Sequence, residues 1–454
     1  MNLVETLFAS ADREKVALIS CRESITYGEL ISRAESARDR LNDVPAPRIG
    51  LDCPNSVQHV VLALGIVLAG KCLVPLAAEL SQRERARLVA ETGLGAIFNS
   101  EGQLQLVDQR TPESFPEVEL AAINPAFIRF SSGTTGRSKG VVLSHESLLE
   151  RIRAANRGLQ ISSADRVLWM LPMAHHFAVS ILLYLLNGAT TIIATSLLAV
   201  DLLTTARETG ATVVYGSPLH HALLAAEGSG RPWPGLRLAV STAAGLPACT
   251  AQAFQTRFGV PLAQGLGIIE VGLPMLNLVA SRTKPASIGR PLPDFEVKLG
   301  SEGELFLRGP GLLDAYLSPW KPRAFILEDG WFRTGDLARI DEDGDVYLLG
   351  RASSVINVAG LKCFPEEIES VLGELPEVRA VRVFAEPHAR VGSVPIAEIV
   401  PINPSAPPTV AALTQHCRQA LARYKVPVEF RFVDALPLTA SGKVRRFQGC
   451  GEIM

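Results

Sequence analysis

The chain has 454 residues, 47% of them hydrophobic and 20% charged. That is enough apolar material for two or three packed domains and too much for a disordered or collagen-like chain. Its 44 lysines and arginines against 46 aspartates and glutamates leave a net charge of −2, which excludes a protein that coats duplex nucleic acid by neutralising phosphates but not a local basic pocket.

From Met1 to Arg13 the chain carries Glu5 and Asp12, where a secretory signal needs a positive start and an unbroken apolar stretch. The seven cysteines, at positions 21, 53, 72, 249, 363, 417 and 450, form no CxxC pair and have no histidine at zinc-ligand spacing. Both observations predict reduced thiols and a cytoplasmic protein. Ala96-Ile97-Phe98, Thr190 to Ala194, Ala211 to Tyr215 and Leu236 to Val240 read as buried parallel strands, with helices at Asp201 to Thr209 and Pro247 to Phe258. That alternation predicts a layered α/β core. Val167 to Val200 contains no charged residue and exceeds the ~20 residues that span a bilayer. His175, His176 and the turn signal Asn187-Gly188 interrupt it, so a buried helix over Phe177 to Leu186, a turn and a strand over Thr190 to Ile193 fit better than a membrane span.

After about residue 295 the pattern changes. Glu296 to Leu299, Gly303 to Arg308 and Asp345 to Leu349 are short alternating segments, read as antiparallel strands or a small barrel. Beyond Gly350-Arg351 come a helix (Pro365 to Gly373), two strands (Ala380 to Ala385 and Ala397 to Val400) and a helix (Val410 to Arg423), the makings of a separate α+β domain of about 100 residues. The predicted division is therefore 1–350 and 351–454.

The stretch richest in chemistry is the apolar strand Phe127 to Phe130 running into Ser131-Ser132-Gly133-Thr134-Thr135-Gly136-Arg137-Ser138-Lys139-Gly140. Glycines let successive N–H groups converge on an anion, hydroxyls add donors, and the lysine supplies a mobile charge. The Walker pattern is absent. On composition alone, a flexible Gly/Ser/Thr loop fits as well as a phosphate cradle.

This loop resembles the SSGTTGxPKG motif of the adenylate-forming superfamily of acyl-CoA synthetases, carrier-protein adenylation domains and firefly luciferase, with Ser138 in place of the proline. The resemblance runs from Ile25-Thr26-Tyr27-Gly28-Glu29-Leu30 to Ser441-Gly442-Lys443, with the motifs in the family's order. Ala69 to Leu76 is similar to the early structural motif, and Leu171-Pro172-Met173-Ala174-His175-His176 to the LPLxH segment. The latter implies that His175 borders the acyl pocket as part of the catalytic set; as an isolated residue it reads equally as a core or helix-start histidine. Thr242-Ala243-Ala244-Gly245-Leu246 stands where the family has GGAPL, implying Ala243 and Ala244 beside adenine and the acyl group. A plain tight turn before a helix is an equal reading.

Gln264-Gly265-Leu266-Gly267-Ile268-Ile269-Glu270 takes the place of QGYGxTE. Gly265, Leu266 and Ile269 would then border the nucleotide, and Glu270 would be a ligand for magnesium on the ATP phosphates. Leu266 cannot stack on adenine as tyrosine does. Ile269 cannot give the α-phosphate a hydroxyl hydrogen bond, worth ~1.5 to 3 kcal/mol to a charged group. Gly330-Trp331-Phe332-Arg333-Thr334-Gly335-Asp336 is similar to GWxxTGD and Gly350-Arg351-Ala352-Ser353-Ser354 to GRxxD. These imply Asp336 and Arg351 as ribose contacts and Ser353 as the hinge of a mobile lid. Asn357 to Glu369 is similar to GxKxxPxEIE, and Pro437 to Lys443 to the terminal PKTxSGK, with Leu438 for a lysine and Lys443 retained.

The resemblance implies an acid-thiol ligase using ATP, Mg²⁺ and coenzyme A. A large N-terminal domain of layered α/β subdomains with a small barrel-like β portion would precede a small mobile C-terminal α+β lid carrying Lys443. A carboxylate attacks the α-phosphorus while pyrophosphate leaves, so the protein mainly positions and neutralises anions. Lys443 would bridge the carboxylate and the α-phosphate, while Ser131, Ser132, Gly133, Thr134, Thr135, Gly136 and Lys139 hold the outer phosphates. His176-Phe177-Ala178-Val179-Ser180 offers no carboxylate for an α-ammonium, and a buried unpaired ammonium is costly. The expected substrate is thus a hydrophobic or aromatic acid in a pocket of Phe177, Tyr215, Gly216, Ser217, Ala244, Gly267 and Gly272. A separate acyl carrier protein is the alternative acceptor, and a nucleotide-binding protein without catalysis the rival from another class.

Overall fold

Short β-branched runs become strands buried on both faces, the environment in which a parallel strand reads as continuous apolar sequence. Cys72–Pro75, Thr190–Ile193, Val213–Gly216 and Leu238–Ser241 are buried at every position. The computed structural model describes residues 1–437 apart from 79, 108–114, 132–138, 195, 197, 360 and 389, and leaves the side chains of 131 and 362 undescribed. One nine-stranded sheet has the order Arg290–Pro291, Gly272–Leu276, Leu262–Ile268, Leu238–Ser241, Val213–Gly216, Arg166–Trp169, Thr190–Ile193, Val16–Ile19 and Ser24–Thr26. Its centre is parallel and its two ends antiparallel. An eight-stranded sheet runs Lys321–Pro322, Ala315–Tyr316, Lys139–Ser144, Pro125–Ser131, Cys72–Pro75, Arg48–Leu51, Ala96–Phe98 and Leu104–Leu106. A single core joins the two, with Leu73, Phe127 and Val141 from one and Val167, Trp169 and Val213 from the other.

The charge-free run folds as strand, helix, turn and strand. The expected helix is split into Met173–His176, a π-helical turn at Phe177–Ile181 and Leu182–Leu186, and Gly188 makes its turn with φ +69°. No helix among the described residues is long and apolar enough to cross a membrane.

The small β portion is a four-stranded antiparallel sheet of Glu296–Leu299, Glu304–Arg308, Phe332–Ile340 and Val346–Arg351. A second core of Ile356, Ile368, Leu372, Val383, Ile399 and Leu413 follows it. Around that core are the expected helices, Pro365–Leu372 and Val410–Ala420, and strands, Val378–His388 and Gly392–Pro401. The hairpin of Ile356–Val358 and Leu361–Cys363 and the strand Glu429–Phe432 add to them. At the junction Gly350 has φ +147°, and a Cβ there would run into the Glu366 carboxylate on the helix Pro365–Leu372.

Candidate functional site

The strands Pro125–Ser131 and Lys139–Ser144 are antiparallel, with Ser131 opposite Lys139. Of the expected phosphate cradle, Ser132, Gly133, Thr134, Thr135 and Gly136 lie outside the described residues, as do Lys443 and the side chain of Ser131. Lys139 is described and exposed, with Nζ 4.8 Å from the centre of the Tyr316 ring. The Tyr316 hydroxyl donates to Glu270 Oε1 at 3.1 Å. Burial, then the neighbouring Glu270 charge, raises this phenol well above the ordinary tyrosine range, so it remains a donor. The residue expected at the outer phosphates and the one expected at the metal are thus joined through a tyrosine.

Glu270 is held from behind. Its carbonyl accepts from Leu313 N at 2.7 Å. The Arg151 guanidinium, 1% exposed, donates to Ile269 O at 2.9 Å and through both Nε and Nη2 to Gly311 O. Burial pulls Arg151 down to about 10, with Asp314 and Glu270 acting against it. Arg151 lies on the helix His145–Leu159, which Ser144 caps by accepting from Ser147 N. Asp314 ties that start in place, accepting from Ser144 N at 2.7 Å, Ser147 Oγ at 3.0 Å and Arg323 Nη2 at 2.7 Å.

The turn at 242–246 meets the strand Leu262–Ile268. Leu246 N donates to Gln264 Oε1 at 2.8 Å, and Thr242 Oγ1 to Gly265 O at 3.3 Å. Ala243, a residue with a Cβ, takes φ +73°, while Ala244 is exposed. Gly267 is exposed, and a Cβ added to it would meet Thr242 Oγ1 at 3.7 Å, an ordinary contact that sets the two motifs side by side. Leu266 and Ile269 are half-buried beside it.

The remaining pocket residues fall in different surroundings. Tyr215 stacks on Trp169 with ring centres 5.4 Å apart, and His176 and Tyr184 meet the same indole edge-on at 5.6 and 6.0 Å. Burial pushes Tyr215 up to about 12, against the hydroxyls of Thr242 and Ser180. Gly216 is buried, with Met170, His220 and His221 around the place of a Cβ. Ser217 Oγ lies 2.8 Å from His220 Nδ1 at the start of the helix Pro218–Ala226, so it serves as a cap. Phe177 is buried against His59. Gly272 is set against the Arg151 side chain. The carbonyl of His175 accepts from Arg129.

Asp336 and Arg351 face one another across adjacent strands. Arg351 Nε is 2.7 Å from Asp336 Oδ1, and its Nη1 donates to Thr334 O at 3.0 Å. The arginine therefore orients the aspartate, itself 6% exposed. Ser353 is exposed in the one-turn helix Ala352–Ser354 that follows directly.

The donor set suits magnesium on phosphate. Glu270 is a hard carboxylate, and its Oε2 has no hydrogen-bond partner among the described residues. Lys139 presents its charge over the ring of the same tyrosine. Asp341, Asp343 and Asp345 also cluster, but Lys284 Nζ reaches them at 2.8, 2.5 and 3.0 Å, so a tethered ammonium fills that site. Tyr316, Arg151 and Asp314 were not singled out from the sequence. Arg151 alone had a signal there, as a charge on the apolar stripe of Leu148, Ile152 and Ala155.

Residues 7–317 match the model of the AMP-binding enzyme and residues 367–443 that of the AMP-binding enzyme C-terminal domain. The chain belongs to the AMP-binding enzyme family. It is 28% identical to a (methyl-dioxo-octahydroindenyl)propanoyl:CoA ligase of Mycobacterium tuberculosis, covering 99% of each chain. It is 30% identical to a 2-succinylbenzoate–CoA ligase of Listeria monocytogenes over 79% of this chain and 77% of the relative. The o-succinylbenzoate CoA synthetase of Bacillus subtilis, solved with its acyl-adenylate intermediate, superposes with a TM-score of 0.85 at 25% identity, covering 98% of this chain and 96% of that one.

Proposed function

We propose that this AMP-binding enzyme is an ATP-dependent acid-thiol ligase: it adenylates a hydrophobic or aromatic carboxylic acid, releases pyrophosphate, and passes the acyl group to coenzyme A. The observation that carries the reading is the meeting of Lys139 and Glu270 on Tyr316. An acid oxygen attacks the α-phosphorus in line, the bond to the β-phosphate bridging oxygen breaks, and pyrophosphate leaves with the electron pair. Bound Mg²⁺ on Glu270 would neutralise charge on the phosphates. Lys139 adds to that neutralisation, Lys443 guides the incoming carboxylate, and Asp336, held by Arg351, receives the ribose hydroxyls. The coenzyme A sulfur then attacks the acyl carbon, the bond to the AMP oxygen breaks, and the thiol proton is released.

Residues 351–454 act as the lid and Ser353 as its pivot. An apolar acid is supported by the Trp169–Tyr215 stack and by the ring-bearing acids in the relatives' names. We place the reaction in the cytoplasm, which suits the six cysteines among the described residues, all of them free. The test is a panel of aliphatic and aryl acids with ATP, Mg²⁺ and coenzyme A, read as AMP, pyrophosphate and thioester. AMP with thioester from at least one apolar acid supports the reading. Failure of every acid to yield AMP overturns it, and thioester formed only on a phosphopantetheinylated carrier protein replaces the acceptor.

A further inference from the structure

Tyr316 has no task in the reaction as written, yet the two charged groups at the triphosphate end meet on it. The residue is fixed by its backbone: Ala315 and Tyr316 pair with Val142 and Val141 on the strand that leaves the phosphate loop, and Leu313 N bonds the Glu270 carbonyl at 2.7 Å. The segment 313–316 thus grips both the loop's exit strand and the residue expected to hold the metal. From this anchored position the phenol reaches Glu270 Oε1 at 3.1 Å, and the ring face lies under Lys139 Nζ at 4.8 Å. Among the described residues Glu270 has no other side-chain partner. A carboxylate restrained at one oxygen turns the other to a fixed direction, the role that outer-shell hydrogen bonds play around metal ligands.

We infer that Tyr316 is the positioning residue of the metal and phosphate site, its hydroxyl orienting Glu270 toward Mg²⁺ and its ring holding Lys139 where the outer phosphates arrive. The inference rests on the proposed ATP-dependent reaction. Its two parts reside in different atoms and separate by mutation. Tyr316→Phe keeps the ring and its packing and removes only the hydroxyl. Tyr316→Leu removes both.

The experiment is calorimetric binding of ATP to the full chain without acid, once with Mg²⁺ and once with EDTA. For Tyr316→Phe, affinity for Mg²⁺–ATP falls about tenfold while affinity for metal-free ATP stays at the wild-type value, and raising Mg²⁺ restores binding. For Tyr316→Leu, metal-free ATP also binds roughly two- to fivefold more weakly, from the lost cation–π contact. A Tyr316→Phe variant that binds Mg²⁺–ATP like wild type overturns the inference. An equal loss with and without metal overturns it too, because the hydroxyl would then act on the nucleotide or the fold and not through Glu270. Wild-type protein that binds no ATP in either condition refutes the underlying ligase reading instead.

Discussion

Lowering the pH from about 7 to about 5 destabilises this protein through a buried histidine, His59, that the reaction does not use. The ring is wholly buried in the helix Val57–Leu68. Its Nδ1 donates to Cys53 O at 2.8 Å, its Nε2 has no partner among the described residues, and the Phe177 ring lies 5.9 Å away. A proton arriving on Nε2 would have no acceptor, and burial pulls the imidazole from 6.5 to about 4. The unfolded chain takes up this proton near its ordinary value while the folded chain still refuses it. Stability supplied by the neutral ring is therefore complete above the unfolded value and is lost as pH falls toward the folded one. Over the roughly 1.5 pH units between 6.5 and 5, at about 1.4 kcal/mol per unit, the loss is about 2 kcal/mol. His221, also buried and lowered to about 4, adds a similar amount. Urea unfolding of wild type and His59→Gln at the two pH values isolates the His59 share. The glutamine amide can still donate to Cys53 O but does not titrate, so the wild-type minus variant difference should change by about 2 kcal/mol on acidification. Identical pH dependence in the two proteins would refute the reasoning.

Three further outcomes follow from the site. Arg151→Met leaves Gly311 O and Ile269 O without their donor; at about 1 to 3 kcal/mol per abandoned carbonyl, unfolding stability should fall by about 2 to 6 kcal/mol, and an unchanged urea midpoint would contradict this. Ala243→Gly relieves a left-handed backbone that costs about 1 to 2 kcal/mol with a Cβ against about 0.5 to 1 kcal/mol of added glycine entropy; a modest net gain of about 0.5 to 1 kcal/mol in urea unfolding is expected. Lys443→Ala should abolish acid-dependent ATP–pyrophosphate exchange while thioester formation from supplied acyl-adenylate largely persists, and equal loss of both half-reactions would contradict its role.

Much of the architecture was written locally. Strands buried on both faces betray themselves as uninterrupted apolar runs, and Asn187-Gly188 marked a turn that Gly188 makes at φ +69°. The order of motifs brought Asp336 and Arg351 under suspicion, and the strands set them opposite each other. What could not be read depends on separation. Tyr316 and Glu270 stand 46 residues apart, and no periodicity links a tyrosine on a two-residue strand to a carboxylate beyond the end of another. The π-helical turn at Phe177–Ile181 was hidden for a different reason: apolar residues on all sides give no period by which an extra residue in a turn would show. The hairpin Ile356–Val358 and Leu361–Cys363 has three-residue strands, too short for alternation to register.

The bare α-carbon at Gly350 has a bearing on how the two halves of the chain can be seated. The Glu366 carboxylate, from the first helix of the C-terminal core, rests where any other residue would place a methyl group, and the φ of +147° there favours glycine. Alanine there would strain the backbone at φ +147° and push the flexible Glu366 side chain aside. A single substitution could thus disturb the joint between the two halves without touching a group that meets nucleotide or acid.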